Sequence, residues 1–401
     1  MLKRALGVLV LVAIAAPSWA KSVDVIYKVK FLPEQNSARV TIKLEDGTAV
    51  PNLIFNFLSA QRYSDFTADG GWQLNDNRGE WQPAAGKNSL SYTVTITPEN
   101  NKHASEKITK DWLVMKGDSL VPPIEAITMP KVSVVSRVQF ELPKEWRSVE
   151  TVWKRVGPNK FRIEDAQSGF NRPTGWIAAG KLGSRRAKLG ETEVTIAAPV
   201  GQQVHRMDMM TLMTYVWPQL QAAFPRDPQK LLVVSARDGM QQQAQGLTQS
   251  IYLAADQALV AESGTSDLLK ELVLSFTQLS SNADEQWISQ GLAQFYSLEL
   301  LMRSGGITPD RYQHSIQKWK EDTKQVNTLR GSLNEQKVER AALFFAELDK
   351  EIKARSKNEF NLDNVTRGLM RLDNITVKDV RDISENIVKG RLKIFESSLV
   401  K

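Results

Sequence analysis

The side chains able to do proton or metal chemistry near neutral pH are few and scattered. His103, His205 and His314 are the three histidines, and they form no i, i+4 pair, so their spacing gives no helical metal site. Met207, Met209, Met210 and Met213 make a sulfur-rich run. Leu212, Val216 and Leu220 continue it at helical spacing, which reads as a core face. With no cysteine in the chain, disulfides, thiolate metal sites and a cysteine nucleophile are excluded. There is no G-x-S-x-G, no P-loop and no G-x-G-x-x-G. A serine hydrolase would need one of the three histidines beside its nucleophile, and the sequence leaves that open. Carboxylate pairs are too common in a soluble chain to argue for or against glycoside cleavage.

Bulk properties narrow the setting. Lys3 and Arg4, the apolar run Leu6 to Ala16 and the small residues of Ser18-Trp19-Ala20 have the pattern of an export signal over residues 1–20. The expected location is the periplasm, with no other stretch resembling a membrane span. Without Lys3 and Arg4, the remaining 50 basic and 45 acidic residues leave a formal charge of +5. The basic cluster Arg185-Arg186-Lys188 is short and lacks interleaved aromatics, which argues against nucleic acid as a partner. At 42% hydrophobic residues the chain has ample core for two or three domains.

Two periodicities divide the chain. Val23, Val25, Tyr27, Val29 and Phe31 alternate, as do Val40, Ile42 and Leu44, then Leu90, Tyr92, Val94 and Ile96, then Val194 and Ile196. They predict an all-β sandwich over residues 21–200. From Met207 the period lengthens. Met209 to Phe224 predicts a helix stopped by Pro225, and Leu231 to Ser235 a short strand. Leu268, Leu269, Leu272, Val273 and Phe276 predict a buried helix face, followed by a helix capped by Asp284 and ending at Gly305-Gly306. Thr308-Pro309 reads as a further helix start, and later helices are expected over 334–355, 362–371 and 377–389. The expected organisation is a multidomain chain: an α+β domain over 201–305 follows the β-sandwich, with a helical C-terminal region over 306–401.

Segments of the second half, in order, resemble the glycyl-aminopeptidase family of gluzincin metallopeptidases, whose catalytic domain is thermolysin-like. Gln245-Gly246-Leu247-Thr248-Gln249-Ser250 lies where that family has a substrate-edge strand. Lys270, Glu271 and Leu274 fall in its H-E-x-x-H frame, and Trp287, Gln290 and Gly291 in a W-x-x-E-G-like segment. Gly305-Gly306-Ile307-Thr308-Pro309 with Tyr312, Val338-Glu339-Arg340-Ala341 with Leu348-Asp349, and Phe360-Asn361-Leu362-Asp363-Asn364-Val365 match later segments.

What the resemblance implies is a degenerate member. Its zinc-ligand positions fall on Lys270, Leu274 and Gln290: an ammonium, an alkyl group and a neutral amide, which cannot replace two imidazoles and a carboxylate. Glu271 keeps the general-base position, Val338 takes the place of the transition-state Tyr, and Gly246, Leu247, Thr248, Gln249 and Trp287 become the candidate substrate-binding residues. No cofactor or metal is expected. The function so implied is non-catalytic: an exported pseudo-aminopeptidase binding a peptide or envelope-protein partner by strand addition along Gly246 to Tyr252. Two alternatives stay open, an active hydrolase in which Glu271 works with His205 or His314, and a structural envelope protein whose cleft is filled by Leu274 and Val338. Read without the resemblance, Lys270-Glu271 is the polar edge of an amphipathic helix, Trp287 a core aromatic and Gln290-Gly291 a packing element.

Overall fold

The computed structural model describes residues 21–57, 60–97, 105–164, 170–237, 245–247 and 249–400. The export-signal segment, His103 and Thr248 lie outside the described residues.

The alternating runs form strands whose apolar members are buried, including Val23, Val25, Tyr27, Val40, Ile42, Leu90, Tyr92 and Val94. Three sheets make up the N-terminal β region. In the seven-stranded sheet, Lys21–Leu32 pairs in parallel with Val132–Glu141 and antiparallel with Ser37–Leu44. A four-stranded sheet runs Ile124–Ile127, Asn52–Asn56, Arg78–Gln82, Gly71–Asn75, and another runs Ser148–Glu150, Trp176–Gly180, Trp112–Lys116, Lys107–Ile108. A short α-helical turn, α1 (Gly117–Leu120), lies within this region.

One pair of strands departs from the expected layout. Leu182–Leu189 and Thr192–Pro199, counted with the β-sandwich when the boundary is set at residue 200, join a five-stranded sheet with Lys230–Ala236, Ser250–Ala254 and Gln245–Leu247. The reason is topological. Thr192–Pro199 pairs in parallel with Lys230–Ala236, and parallel pairing requires a crossover, supplied by helix α2 (Arg206–Ala223). Alternate residues on these strands serve two layers. Val194, Ile196, Leu231, Val233, Ile251 and Leu253 face the helices. Ala197, Leu232, Val234 and Tyr252 pack against Trp112, Val114 and Trp176 of the β region.

Among the described residues six further α-helices follow: α3 (Asp267–Thr277), α4 (Trp287–Arg303), α5 (Pro309–Asp322), α6 (Glu335–Arg355), α7 (Leu362–Leu369) and α8 (Val377–Val388). Each begins near its expected start. The cap before α4 differs: the Asn282 side chain, not Asp284, accepts from the Asp284 and Glu285 N–H groups and caps a short 3-10 turn leading into α4. Helices α3 to α8 share one core with α2 and the five-stranded sheet, so residues on both sides of 305 pack together. Among the described residues no helix is long and apolar enough to cross a membrane.

Candidate functional site

Helix α3 starts at Ser266, whose side chain accepts from the Leu269 N–H, and ends at Gln278 in the left-handed conformation. Leu268, Leu269, Leu272, Val273 and Phe276 turn into the core, as the helical period predicts. That leaves Glu271, Leu274, Ser275 and Gln278, at i, i+3, i+4 and i+7, as a second stripe. This stripe is one wall of a cavity of about 1320 Å³.

The neighbouring wall is the edge of the five-stranded sheet. Gln245–Leu247 pairs antiparallel with Ser250–Ala254, with Leu247 opposite Ser250 across a tight turn in which Gln249 has φ +54°. The Gly246 N–H points out of this ladder and donates to Glu271 Oε2 at 2.7 Å. A Cβ at Gly246 would lie 2.3 Å from that oxygen, so only glycine lets the helix carboxylate come so close. Burial pushes the Glu271 carboxyl above its ordinary value. Lys270 and the Gly246 N–H oppose the shift, and Asp267 adds to it.

The far wall is basic and comes from distant segments. The β region contributes Trp153, Lys154, Arg155 and Arg162, the strand Lys230–Ala236 and the loop before it contribute Lys230 and Arg226, and Arg371 follows α7. Arg162 pairs with Glu164 at 2.8 Å and Lys188 with Glu191 at 3.0 Å. Arg155 donates to the Val149 carbonyl at 3.0 Å and lies 4.7 Å over the Phe161 ring. The half-buried Lys230 donates to the Trp153 carbonyl at 3.0 Å. Burial holds its ammonium below the ordinary range, with Glu193 and Glu150 opposing.

Of the residues singled out in the sequence, Gly246, Gln249, Glu271 and Leu274 line this cavity. Lys270, Gln290, Trp287 and Val338 do not. Trp287 is 1% exposed and packs on Phe344 and Phe345, which makes it a core residue rather than a ligand-stacking one. Gln290 and Val338 sit half-buried in the first turns of α4 and α6. Of Leu247 only the backbone pairing is described. His205 precedes α2 with Nδ1 3.5 Å from Asp208 Oδ2, His314 is exposed on α5, and neither lines the cavity.

The zinc implied by the aminopeptidase resemblance does not fit this donor set. Leu274 offers no lone pair, Lys270 and Gln290 lie off the cavity, and among the described residues no three His, Cys, Asp or Glu side chains cluster as a metal would need. Sequence reasoning missed the basic wall. Its one local signal, Arg185-Arg186-Lys188, reads as a short surface cluster, and the other cations come from segments with no motif linking them.

No family model matches the chain, and no curated protein matches it in sequence. Among solved structures it is similar to the crystal structure of an aminopeptidase N family protein from Idiomarina loihiensis. The TM-score is 0.67 over 86% of this chain and 70% of that one, at 12% identity. The likeness is one of fold: a multi-sheet β region, then an α+β part with a helical C-terminal portion.

Proposed function

We propose that this chain is an exported, non-catalytic peptidase-like protein that binds a peptide or protein partner in the cell envelope through the cavity beside Glu271. The observation that carries this reading is the Glu271–Gly246 contact at the cavity wall. A carboxylate in the general-base position is held by a backbone donor, with Leu274 where a metal ligand would be needed to supply an activated water. The peptidase-like fold supports the class, and an edge strand bordering a large cavity supports recognition of an extended chain. A second reading, hydrolysis with Glu271 as acid or base, draws on the raised carboxyl.

One pair of measurements separates the two. Labelled peptides are titrated by fluorescence anisotropy, and the same protein is assayed against aminoacyl amides and esters with added zinc, with chelator, and as Glu271→Gln. Saturable binding with no turnover under any condition is expected. Hydrolysis abolished by Glu271→Gln or by chelator would overturn the non-catalytic reading.

A further inference from the structure

The cavity lining carries seven basic against five acidic side chains, and most of the basic ones are held in no ion pair. Among the described residues, Lys154, Arg155, Arg226, Lys230 and Arg371 line it without a carboxylate within ion-pair distance, whereas Arg162 and Lys188 are paired. Arg155 and Lys230 also line a smaller adjoining cavity of about 550 Å³, where Arg186 is committed to Glu150. On the other side of the account, Glu164 and Glu191 are used by those two pairs, and Glu271 faces the Gly246 N–H. Glu193 and Asp373 are the remaining acidic lining residues.

We propose that the cavity receives an extended acidic peptide segment, whose carboxylates pair with Lys154, Arg155, Arg226, Lys230 and Arg371 while its backbone lies beside the Gln245–Leu247 edge. The inference rests on the peptide-binding reading above and gives that partner its chemistry. Three features favour a peptide over other polyanions. The five cations come from three separate segments, so they suit several spaced carboxylates rather than one compact anion. Apolar surface from Leu274, Met370 and Leu372 lines the same cavity, and alternate side chains of an extended peptide would rest on it. The lining aromatic, Trp153, is only 6% exposed and offers no platform for stacking bases.

The test is an anisotropy titration with three labelled decapeptides, one rich in Asp and Glu, one rich in Lys and Arg, and one of Ser and Gly. Lys154 and Arg371 are exposed, so the Lys154→Glu/Arg371→Glu variant should keep its fold, checked by circular dichroism. Lys154→Gln/Arg371→Gln serves as a milder second variant. The acidic peptide is expected to bind at least about tenfold tighter than the basic one, to weaken as salt rises, and to lose about tenfold or more in the charge-reversed variant. Equal binding of the three peptides would overturn this inference and leave the peptide-binding reading standing. Binding to none of them would remove both. Displacement of the acidic peptide by an oligonucleotide or by anionic vesicles at lower concentration would overturn the choice of ligand class.

Discussion

Glu271 is held partly out of water, and its proton balance follows from that. Burial raises its carboxyl, so between the ordinary carboxylate range and the raised value the folded chain keeps a proton that the unfolded chain has released. Stability from this group therefore falls as pH rises through that window, and the ionised form carries a cost above it. Glu271→Gln retains an oxygen for the Gly246 N–H and removes the titration. Its melting temperature at pH 7 is expected to lie above that of the parent, with a flatter profile from acid to neutral pH. Thermal melts at pH steps across that range check this; a variant that melts lower at pH 7 would show that the carboxylate is net stabilising. At this scale the sequence discloses little beyond the residue itself. Glu271 and Gly246 stand out in their segments, but nothing in either segment says that they touch, because 25 residues and a sheet edge separate them. Trp287, by contrast, has its place set by aromatic partners on α6 that the sequence does not tie to it.

Helix α4 is fixed to α6 and α7 by two contacts. Gly291 meets α6 so closely that a Cβ there would lie 2.5 Å from Ala341 Cβ, which explains a glycine within a helix as a packing requirement. One end of α4 is tied to α7 by charge. Arg303 donates to both oxygens of Asp363, at 2.8 and 3.1 Å, and to Glu299 at 2.9 Å, and the Tyr296 hydroxyl donates to Asp363 at 2.9 Å. Asp363 and Glu299 are buried, so their charges depend on the guanidinium. Arg303→Met is expected to cost roughly 3–5 kcal/mol in urea unfolding, because it leaves two buried carboxylates without their cation. Arg303→Lys should recover only part of that, since an ammonium cannot serve both partners in a fork. Equal stability of Arg303→Met and the parent would show that the network contributes nothing. The helices themselves are readable in the sequence, because a period of 3.6 and a capping side chain need only near neighbours. Thr308-Pro309 and the apolar face of α3 are examples. The Arg303–Asp363 tie, spanning 60 residues, is not readable in that way.

At the scale of the whole molecule, the β region and the rest of the chain share a buried surface rather than a linker. The Trp176 and Tyr252 rings lie tilted with centroids 5.2 Å apart, and the Trp176 backbone N–H donates to Ser250 Oγ at 2.8 Å. The same sheet is held from its other side by helices, and Arg367 of α7 donates to the Ala223 carbonyl at the end of α2, satisfying a terminal helix acceptor. Period-two and helical patterns give the two classes of element in the right order. They do not disclose the pairing of the last strands, because Val194 and Ile196 alternate like sandwich residues although their strand pairs in parallel with one beyond a helix. The cavity sits where these parts meet, so its shape depends on how firmly they are joined. A shared surface of this kind should make them unfold together: calorimetry of the parent protein is expected to give one transition. Trp176→Ala removes one of the two tryptophans of the junction, a loss of about 3–5 kcal/mol for a buried aromatic, and should split the melt into a lower β-region transition and a higher helical one. Acidic-peptide binding should weaken in the same variant, since Lys154 and Arg155 belong to the β region and Lys230 and Glu271 do not. A parent protein that already melts in two steps, or a variant that moves as a single transition, would mean that this junction does not couple the two halves.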